Sequence, residues 1–510
     1  MDENRVCRVK PLLTVLASAC ALATAVAQSA SNPADYRPRF HFSPEKNWIN
    51  DPNGLIYDGS EYHLFYQYNP FGDQWGHMSW GHSVSKDLTR WQELPVALAE
   101  EKGIMIFTGS AVIDSRNSSG LGRNGVPPMV AVFTGNSQGL QTQNIAYSTD
   151  HGRSWTKYPR NPVIDIHEAE FRDPMVFWHQ PSQRWIMTVS LAKAHKIRFY
   201  ASPDLKTWTP LSDFGPAGLQ DVPNWECPNL FELRVAGSPG QSRWVLVVGV
   251  GDGAVSGGSG TQYFIGTFDG TKFVNENPPD RVLWMDRGAD FYAPQSWSGV
   301  PPSDGRRILV AWMDNWKYAA KLPTSPWRGQ MSYPRTAELE QTPDGIRLVQ
   351  NPVREIESLR GEHFQLRNTS LVKSNAVLGR REWSDTMEIV AELQANGSQD
   401  AGIELRKGPA HGTRVGYDAR KSVVYIDRTR SGALTIHPDF AARHEAPVKI
   451  DGGVVKLRIL LDRCSVEVFA GGGGATLTDL IFPDKGDRGL SLYDMGSQAS
   501  VVSLDAWNLK

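Results

Sequence analysis

Apolar and polar residues alternate in short runs along most of the chain, as in Ile197-Arg198-Phe199-Tyr200, Ala401-Gly402-Ile403-Glu404-Leu405-Arg406 and Val455-Lys456-Leu457-Arg458-Ile459. A period of two puts every second side chain on one face, so these runs predict half-buried strands. Between them one turn recurs: Ser85-Lys86-Asp87-Leu88-Thr89-Arg90-Trp91, then Ser148 to Trp155, then Ser202-Pro203-Asp204-Leu205-Lys206-Thr207-Trp208, with a weaker copy from Phe268 to Phe273. The closing aromatics at 91, 155, 208 and 273 are separated by 64, 53 and 65 residues. Each copy follows an alternating stretch, which predicts a hairpin between the outer strands of a repeating four-stranded unit.

A second set of positions keeps the same interval. Asp51, Ser110, Asp173, Glu226 and Tyr292 step by 59, 63, 53 and 66 residues. A radial fold whose units each give their innermost strand to a central channel gathers all five at one mouth, which predicts a five-bladed β-propeller over 36–345. A β-sandwich with chance similarity among its turns is the competing arrangement. After Pro352 the Asp-Trp turns stop while alternation continues, punctuated by glycines such as Gly471 to Gly474. The expected class is therefore all-β: the propeller, a linker over 346–364, and a second domain of β-sandwich type over 365–510.

Composition narrows this picture. A chain of 510 residues exceeds what one hydrophobic core serves, and Gly 47, Pro 33 and Trp 17 suit many short strands better than long helices. With a net charge of -2 and no basic block, nothing points to nucleic acid or an anionic membrane. The start of the chain differs. Arg5, Arg8 and Lys10 precede an apolar run from Leu12 to Val26 that ends in Ala25-Val26-Ala27, the pattern of a signal peptide over 1–27 and of export to the periplasm or the extracellular space. A lipoprotein signal ending at Cys20 is the alternative. Cys7 and Cys20 leave with this segment, so Cys227 and Cys464 remain and no disulfide framework is expected. No histidine, cysteine or acidic spacing suggests a metal or cofactor, and no later stretch is apolar enough to span a bilayer. Asn117, Asn368 and Asn396 begin N-x-S/T sequons, relevant only in a glycosylating host.

Three segments carry candidate chemistry: Trp48-Ile49-Asn50-Asp51-Pro52-Asn53-Gly54, Phe171-Arg172-Asp173-Pro174 and Trp225-Glu226-Cys227-Pro228. Each sets a carboxylate at or beside a turn, next to an aromatic. Two carboxylates flanking a scissile bond, one ionised and one protonated, are what glycoside hydrolysis requires. Asn50 and Asn53 beside Asp51 would keep it ionised as a nucleophile, whereas Trp225 and Cys227-Pro228 around Glu226 would raise its pKa and hold a proton for the leaving group. Asp173 has Arg172 next to it, a salt link that is structural or else part of a site that stabilises a cationic transition state. Trp48, Trp75, Trp80, Phe107, Tyr292 and Trp327 fall near the proposed mouth, and such faces pack on sugar rings.

With Phe65-Tyr66-Gln67-Tyr68-Asn69-Pro70, Trp75-Gly76-His77, Gly260-Thr261-Gln262-Tyr263-Phe264, Asp290-Phe291-Tyr292-Ala293 and Pro326-Trp327-Arg328, these segments are specific in order and spacing. Over nearly the whole mature chain the sequence resembles glycoside hydrolase family 32, the β-fructofuranosidases that include invertases, inulinases and levanases. The resemblance implies a five-bladed propeller plus a sandwich, a retaining mechanism and no metal. It implies Asp51 as nucleophile, Glu226 as acid/base and Asp173 as transition-state stabiliser. Asn50, Gln67, Trp75 and Arg172 would contact the terminal fructose, and Pro52, Asn53, Phe107, Thr108, Tyr292 and Trp327 complete the substrate-binding set. Where the family usually shows F-S-G-S, this chain has Phe107-Thr108-Gly109-Ser110, which keeps the hydroxyl and adds a methyl. The region from Asp290 to Arg328 looks most like bacterial levanases and fungal exo-inulinases. The expectation is a secreted exo-β-fructosidase acting on fructans and sucrose with water. A fructosyltransferase on sucrose and a non-catalytic fructan-binding propeller are the alternatives. Linkage preference and oligomeric state are left open.

Overall fold

The computed structural model describes residues 32–510 apart from 396–398, 433–434 and 497. The expected signal segment and the Asn396 sequon lie outside the described residues. Five antiparallel units stand around a central channel, and their innermost strands are Asn47–Tyr57, Met105–Ile113, Phe171–His179, Trp225–Ala236 and Tyr292–Ser296. The ring is closed by Trp327–Arg328, which pairs in parallel with Asn47 and Trp48 of the first blade. Neighbouring blades pack through apolar layers such as Val130, Val132 and Ile145 against Val176, Met187 and Val189, all buried. This is the expected propeller followed by a sandwich.

The repeating turn joins the third and fourth strands of each of the first four blades, for example Ser79–Ser85 to Gln92–Leu98 and Lys196–Ser202 to Thr209–Phe214. Its aspartate explains the motif. Asp87 Oδ1 accepts from the backbone N–H of Thr89 and Arg90 at 2.9 Å each, and Asp204 Oδ1 from Lys206 at 3.0 Å and Thr207 at 2.7 Å. A carboxylate taking the N–H groups of the turn it opens is an Asx turn. Leu88 and Leu205 adopt left-handed φ of 62° and 61° with fully buried side chains. The Trp208 indole then donates to the Leu205 carbonyl at 3.0 Å. The fifth blade lacks this turn. Its last hairpin closes over Thr342 to Gly345, and its outer strand is Gly345–Pro352.

That strand corrects the expected linker over 346–364. Residues 345–352 belong to the propeller, Arg354–Leu359 form a 3-10 turn, and Arg360–Ser370 is already the first strand of the sandwich. The sandwich packs a six-stranded sheet on a five-stranded one, with Ile389, Leu457, Ile459 and Val468 facing Ile403, Val415, Val424 and Ile426 in its core.

The two domains share a buried seam. Leu460, Phe469 and Leu509 of the sandwich pack with Phe40, Phe42, Tyr333 and Ile356. Through this apolar layer runs a chain of ion pairs. His41 meets Asp462 Oδ2 through Nδ1 at 2.9 Å and Glu467 Oε1 through Nε2 at 2.7 Å. Arg335 donates to Asp286 Oδ2 at 2.8 Å and to Glu467 Oε2 at 3.1 Å. Arg428 donates to Asp290 Oδ2 at 2.7 Å, and His444 meets Asp479 at 2.8 Å. Burial pulls the His41 imidazole down, but its bonds to Asp462 and Glu467 outweigh that and raise it to about 9. Burial pushes Glu467 up, but Arg335 and His41 outweigh it and bring the carboxyl to about 2. Asp462 and Asp479 are likewise held low against burial, by His41 and by His444 with Arg428.

Candidate active site

All five innermost strands are bulged at their N-terminal, mouth end. The pairing register slips between Ile49 and Pro52, Ile106 and Gly109, Arg172 and Met175, Glu226 and Asn229, and Tyr292 and Gln295. A bulge puts two residues opposite one, which bends the strand and re-aims side chains that strict alternation would send elsewhere. Asp173, Cys227 and Ala293 hold left-handed φ of 66°, 50° and 51° at matching positions, each just before a proline. Strained backbone of this kind costs about 1–3 kcal/mol per residue and concentrates at functional sites.

The bulges bring Asp51, Asp173 and Glu226 to one cavity of about 310 Å³. Asp51 is 7% and Asp173 3% exposed. Asp51 Oδ2 accepts from Thr108 Oγ1 at 2.7 Å and Oδ1 from Asn50 Nδ2 at 3.2 Å, and Trp48 Nε1 fixes Asn50 by donating to its Oδ1 at 2.8 Å. Asp173 Oδ2 accepts the Cys227 N–H at 2.9 Å. The Cys227 thiol lies between the two aspartates, 3.3 Å from Asp51 Oδ2 and 3.6 Å from Asp173 Oδ2. Ser110 is a staple, donating to the Pro174 carbonyl at 3.0 Å and accepting the Val176 N–H at 2.9 Å, so blades two and three hold Asp173 together.

Arg172 is the cation among these acids. Its Nε and Nη2 donate to Glu226 Oε1 at 3.0 and 2.7 Å, and Nη1 reaches Gln141 Oε1 at 3.3 Å and also Glu170. The Tyr292 hydroxyl donates to the other Glu226 oxygen. Sequence adjacency suggests an Arg172–Asp173 link, but that contact is 3.9 Å and the close partner is Glu226 on the next blade. The apolar surroundings expected for Glu226 are also corrected: strand alternation sends Trp225 into the core and the bulge turns Cys227 toward the aspartates, so the carboxylate meets Arg172 and Tyr292.

Burial pushes the Asp51 carboxyl above its usual range, opposed by the Thr108 hydroxyl and reinforced by the charge of Glu226. Burial raises Asp173 too, with Arg172 opposing and Glu226 and Asp51 adding to the rise. The polar neighbours of Asp51 thus do not by themselves fix it as ionised. Against burial, Glu226, Asp173 and Glu170 hold Arg172 firmly charged. With Asp51, Asp173, Glu226 and Glu170 facing Arg172 and Lys193, the cavity lining carries an excess of carboxylates. Such a site favours positive charge that develops on a bound group.

Asn50, Gln67, Trp75, Phe107, Thr108 and Arg172 line the cavity as expected for substrate contacts. Tyr292 is buried behind Glu226, which it touches. Pro52 and Asn53 do not line it. With its amide oriented so that both ends are satisfied, Asn53 accepts from Gln67 N and Nε2 at 3.0 and 2.9 Å and donates to the Pro52 carbonyl at 3.1 Å, so it braces Gln67. Trp327 is corrected as well. It is 1% exposed in the ring-closing strand, under the Arg37 guanidinium at 4.0 Å, and packs with Tyr36 and Met313. Sequence reasoning misses Gln141, Glu170, Lys193, Asn224 and Trp316 as lining residues. Glu170 and Asn224 were findable, because each lies two residues before a site residue, Arg172 or Glu226, just ahead of the innermost strand that carries it. Trp75 and Trp316 are 47% and 36% exposed and form aromatic edges of the opening.

Comparison with known proteins agrees with this geometry. The family model for the glycosyl hydrolases family 32 N-terminal domain matches residues 41–352, and that for the family 32 C-terminal domain matches 355–508. A levanase of Bacillus subtilis is 47% identical over 100% of this chain and 75% of its own length. An extracellular exo-inulinase of Aspergillus awamori is 40% identical over 93% of this chain and 94% of its own. The crystal structure of exo-inulinase from Aspergillus awamori superposes with a TM-score of 0.87 at 38% identity, covering 93% of this chain and 98% of the other. A β-fructofuranosidase of Schwanniomyces occidentalis complexed with fructosyl-erythritol gives a TM-score of 0.85 at 31% identity, covering 94% and 98%. Two family models in tandem across propeller and sandwich leave one conclusion: the chain belongs to glycosyl hydrolase family 32.

Proposed function

We propose that this protein is a secreted, retaining exo-β-fructosidase that releases terminal fructose from fructans and sucrose. The observation that carries the reading is the arrangement of three carboxylates from three blades: Asp51 and Asp173 share the Cys227 thiol, and Glu226 faces them from its clasp by Arg172 and Tyr292. Asp51 attacks C2 of the terminal fructose while Glu226 gives its proton to the glycosidic oxygen. The C2–O bond breaks, the shortened chain leaves as an alcohol, and fructose remains as an ester on Asp51. Glu226, now a carboxylate, takes a proton from water; the oxygen of that water attacks C2, the ester bond breaks, and fructose leaves with both carboxyl groups restored. Asp173 lies beside the oxocarbenium-like transition state, whose positive charge favours the ionised form of its carboxyl. Thr108 and Asn50 hold the Asp51 oxygens in place, and Arg172 orients Glu226.

Levanase and exo-inulinase relatives at 47% and 40% identity support polymeric fructan as substrate, and the extracellular exo-inulinase among them supports export. Among the described residues no helix is long and apolar enough to cross a membrane. Incubation with sucrose, inulin and levan tests the reading: free fructose is the main early product of inulin and levan, and sucrose gives fructose and glucose in equal amounts. A ladder of oligofructosides preceding fructose would mean an endo enzyme, and chain growth at high sucrose a transferase.

A further inference from the structure

The bulges mark one end of the propeller channel, and a second cavity opens toward the other. It measures about 460 Å³ and is lined near the C-terminal ends of the innermost strands of blades two, three and five, at Val112, Phe177 and Ser296 among others. Its charged lining residues are Arg116, Arg306 and Arg307, with no carboxylate among them. Two of these cations are already engaged. Arg306 donates to both oxygens of Asp304 and both of Glu355, and Arg116 lies 4.2 Å over the Trp178 ring and donates to Gln183 Oε1 at 2.8 Å. Arg307 is different. Among the described residues no hydrogen bond or ion pair reaches its guanidinium, whose only contact of note is the Phe231 ring at 5.2 Å. Burial pulls it down to about 10 with no carboxylate to oppose this, and it still carries its charge at neutral pH. Arg307 is half-buried, so its unpaired guanidinium faces the cavity short of hydrogen-bond acceptors, and an anion there would supply them in the paired form an arginine fork favours.

The walls narrow the ligand further. The indole N–H groups of Trp178, Trp185 and Trp297 are already given to Gln180 Oε1, Ser118 Oγ and the His63 carbonyl at 2.9, 2.9 and 3.0 Å. Ser296 and Ser298 donate to Asn229 Oδ1 at 3.1 Å and the Ala111 carbonyl at 2.7 Å. A sugar, which needs many hydrogen-bond partners, finds few here, whereas an apolar ring finds aromatic surface. We propose that the base of the propeller channel is a binding site for a small organic anion, its carboxylate held by Arg307 and its apolar body against the tryptophan walls.

The full-length protein with its active site saturated by fructose provides the test, using benzoate as probe, benzamide as its neutral counterpart and sulfate as a bare anion, each followed by calorimetry. Benzoate should saturate with a Kd of about 1 mM or tighter. Benzamide and sulfate should bind about ten-fold more weakly or worse, and Arg307→Gln should weaken benzoate by a similar factor, the weight of a hydrogen bond to a charged group. Turnover of sucrose by this variant should be unchanged. Should Arg307→Gln fail to fold, Arg307→Lys decides, because it keeps the charge and loses the planar fork, weakening benzoate but not benzamide. Absence of saturation, equal affinity for benzoate and benzamide or sulfate, an unaffected Arg307 variant, or benzoate binding that appears only when fructose is omitted would each overturn the proposal.

Discussion

At the channel mouth Asp51, Asp173 and Glu226 crowd around a single firmly held cation, Arg172, whereas at the seam between propeller and sandwich Asp462, Glu467 and Asp479 are matched by His41, Arg335, Arg428 and His444. Both clusters are buried, yet their carboxyls move in opposite directions. Those of Asp51 and Asp173 are pushed up, and those of Asp462, Glu467 and Asp479 are held down. On the propeller side of the seam, Asp286 and Asp290 are pushed up by burial even though each keeps an arginine, so matching is strongest on the sandwich side. The contrast teaches that burial alone does not distinguish a reactive acid from a structural one. What distinguishes them is whether enough cations and hydrogen-bond donors surround the acid to repay its lost water.

The comparison breaks most violently at the mouth. Asp51→Ala should abolish turnover of every substrate, because the fructosyl-enzyme cannot form. Glu226→Ala should lose ~10²–10⁴-fold on natural fructosides, yet an activated aryl fructoside, whose leaving group needs no proton, should show a burst of phenol. Azide should then speed the slow second step and give a fructosyl azide of retained β configuration; an inverted product would overturn these roles.

At the seam the loss should fall on stability instead. Glu467→Gln removes a charge that His41 and Arg335 both need, leaving buried cations short of a partner, at a cost of about 3–5 kcal/mol. The unfolding midpoint should drop by roughly 10 °C while activity per folded molecule at low temperature is kept. Calorimetry alongside an activity assay checks both. A smaller effect follows from pH. His41 is raised from 6.5 to about 9, so its stabilisation is fully present below about 6.5 and is lost as pH rises through 9. Glu467 is lowered from 4.5 to about 2, so its share is present above about 4.5 and lost as pH falls through 2. The midpoint should therefore be highest between about 4.5 and 6.5 and decline toward 9. His41→Gln should flatten that alkaline decline.

The smallest change returns to the mouth. Thr108→Val removes a donor to the charged form of Asp51 and should raise its carboxyl further. The acidic limb of kcat/KM then moves to higher pH, with a loss of roughly five-fold at low pH and less near neutrality. An unchanged acidic limb would mean that the Thr108 hydroxyl does not hold Asp51 in its charged form.

The propeller was legible because its turn is local: an aspartate must sit two or three residues before the N–H groups it accepts, so Asp87 and Asp204 leave a fixed signature. The outer strand of the fifth blade, Gly345–Pro352, falls within the expected linker for the same reason, because the turn before it, Thr342 to Gly345, lacks the Asp-Trp pattern. The three carboxylates were legible through their spacing and neighbouring prolines. Their surroundings were not, since Arg172 meets Glu226 54 positions away and the bulge at Glu226 reverses which neighbours its carboxylate sees. Trp327 shows the limit for aromatics, because an indole suits a sugar platform and a closing strand equally well, and only the pairing with Asn47 decides.

The parallel pairing of Trp327–Arg328 with Asn47–Trp48 has an outcome for biogenesis. The strand that carries Asp51 is among the first to be synthesised, but the strand that closes the ring on its other edge emerges only when the propeller is nearly complete. A ribosome-bound chain therefore holds every acid of the cluster before it holds the pocket, and cleavage competence arrives with the last blade. With the export proposed above, this ordering would keep the hydrolase silent until the chain has folded beyond the membrane.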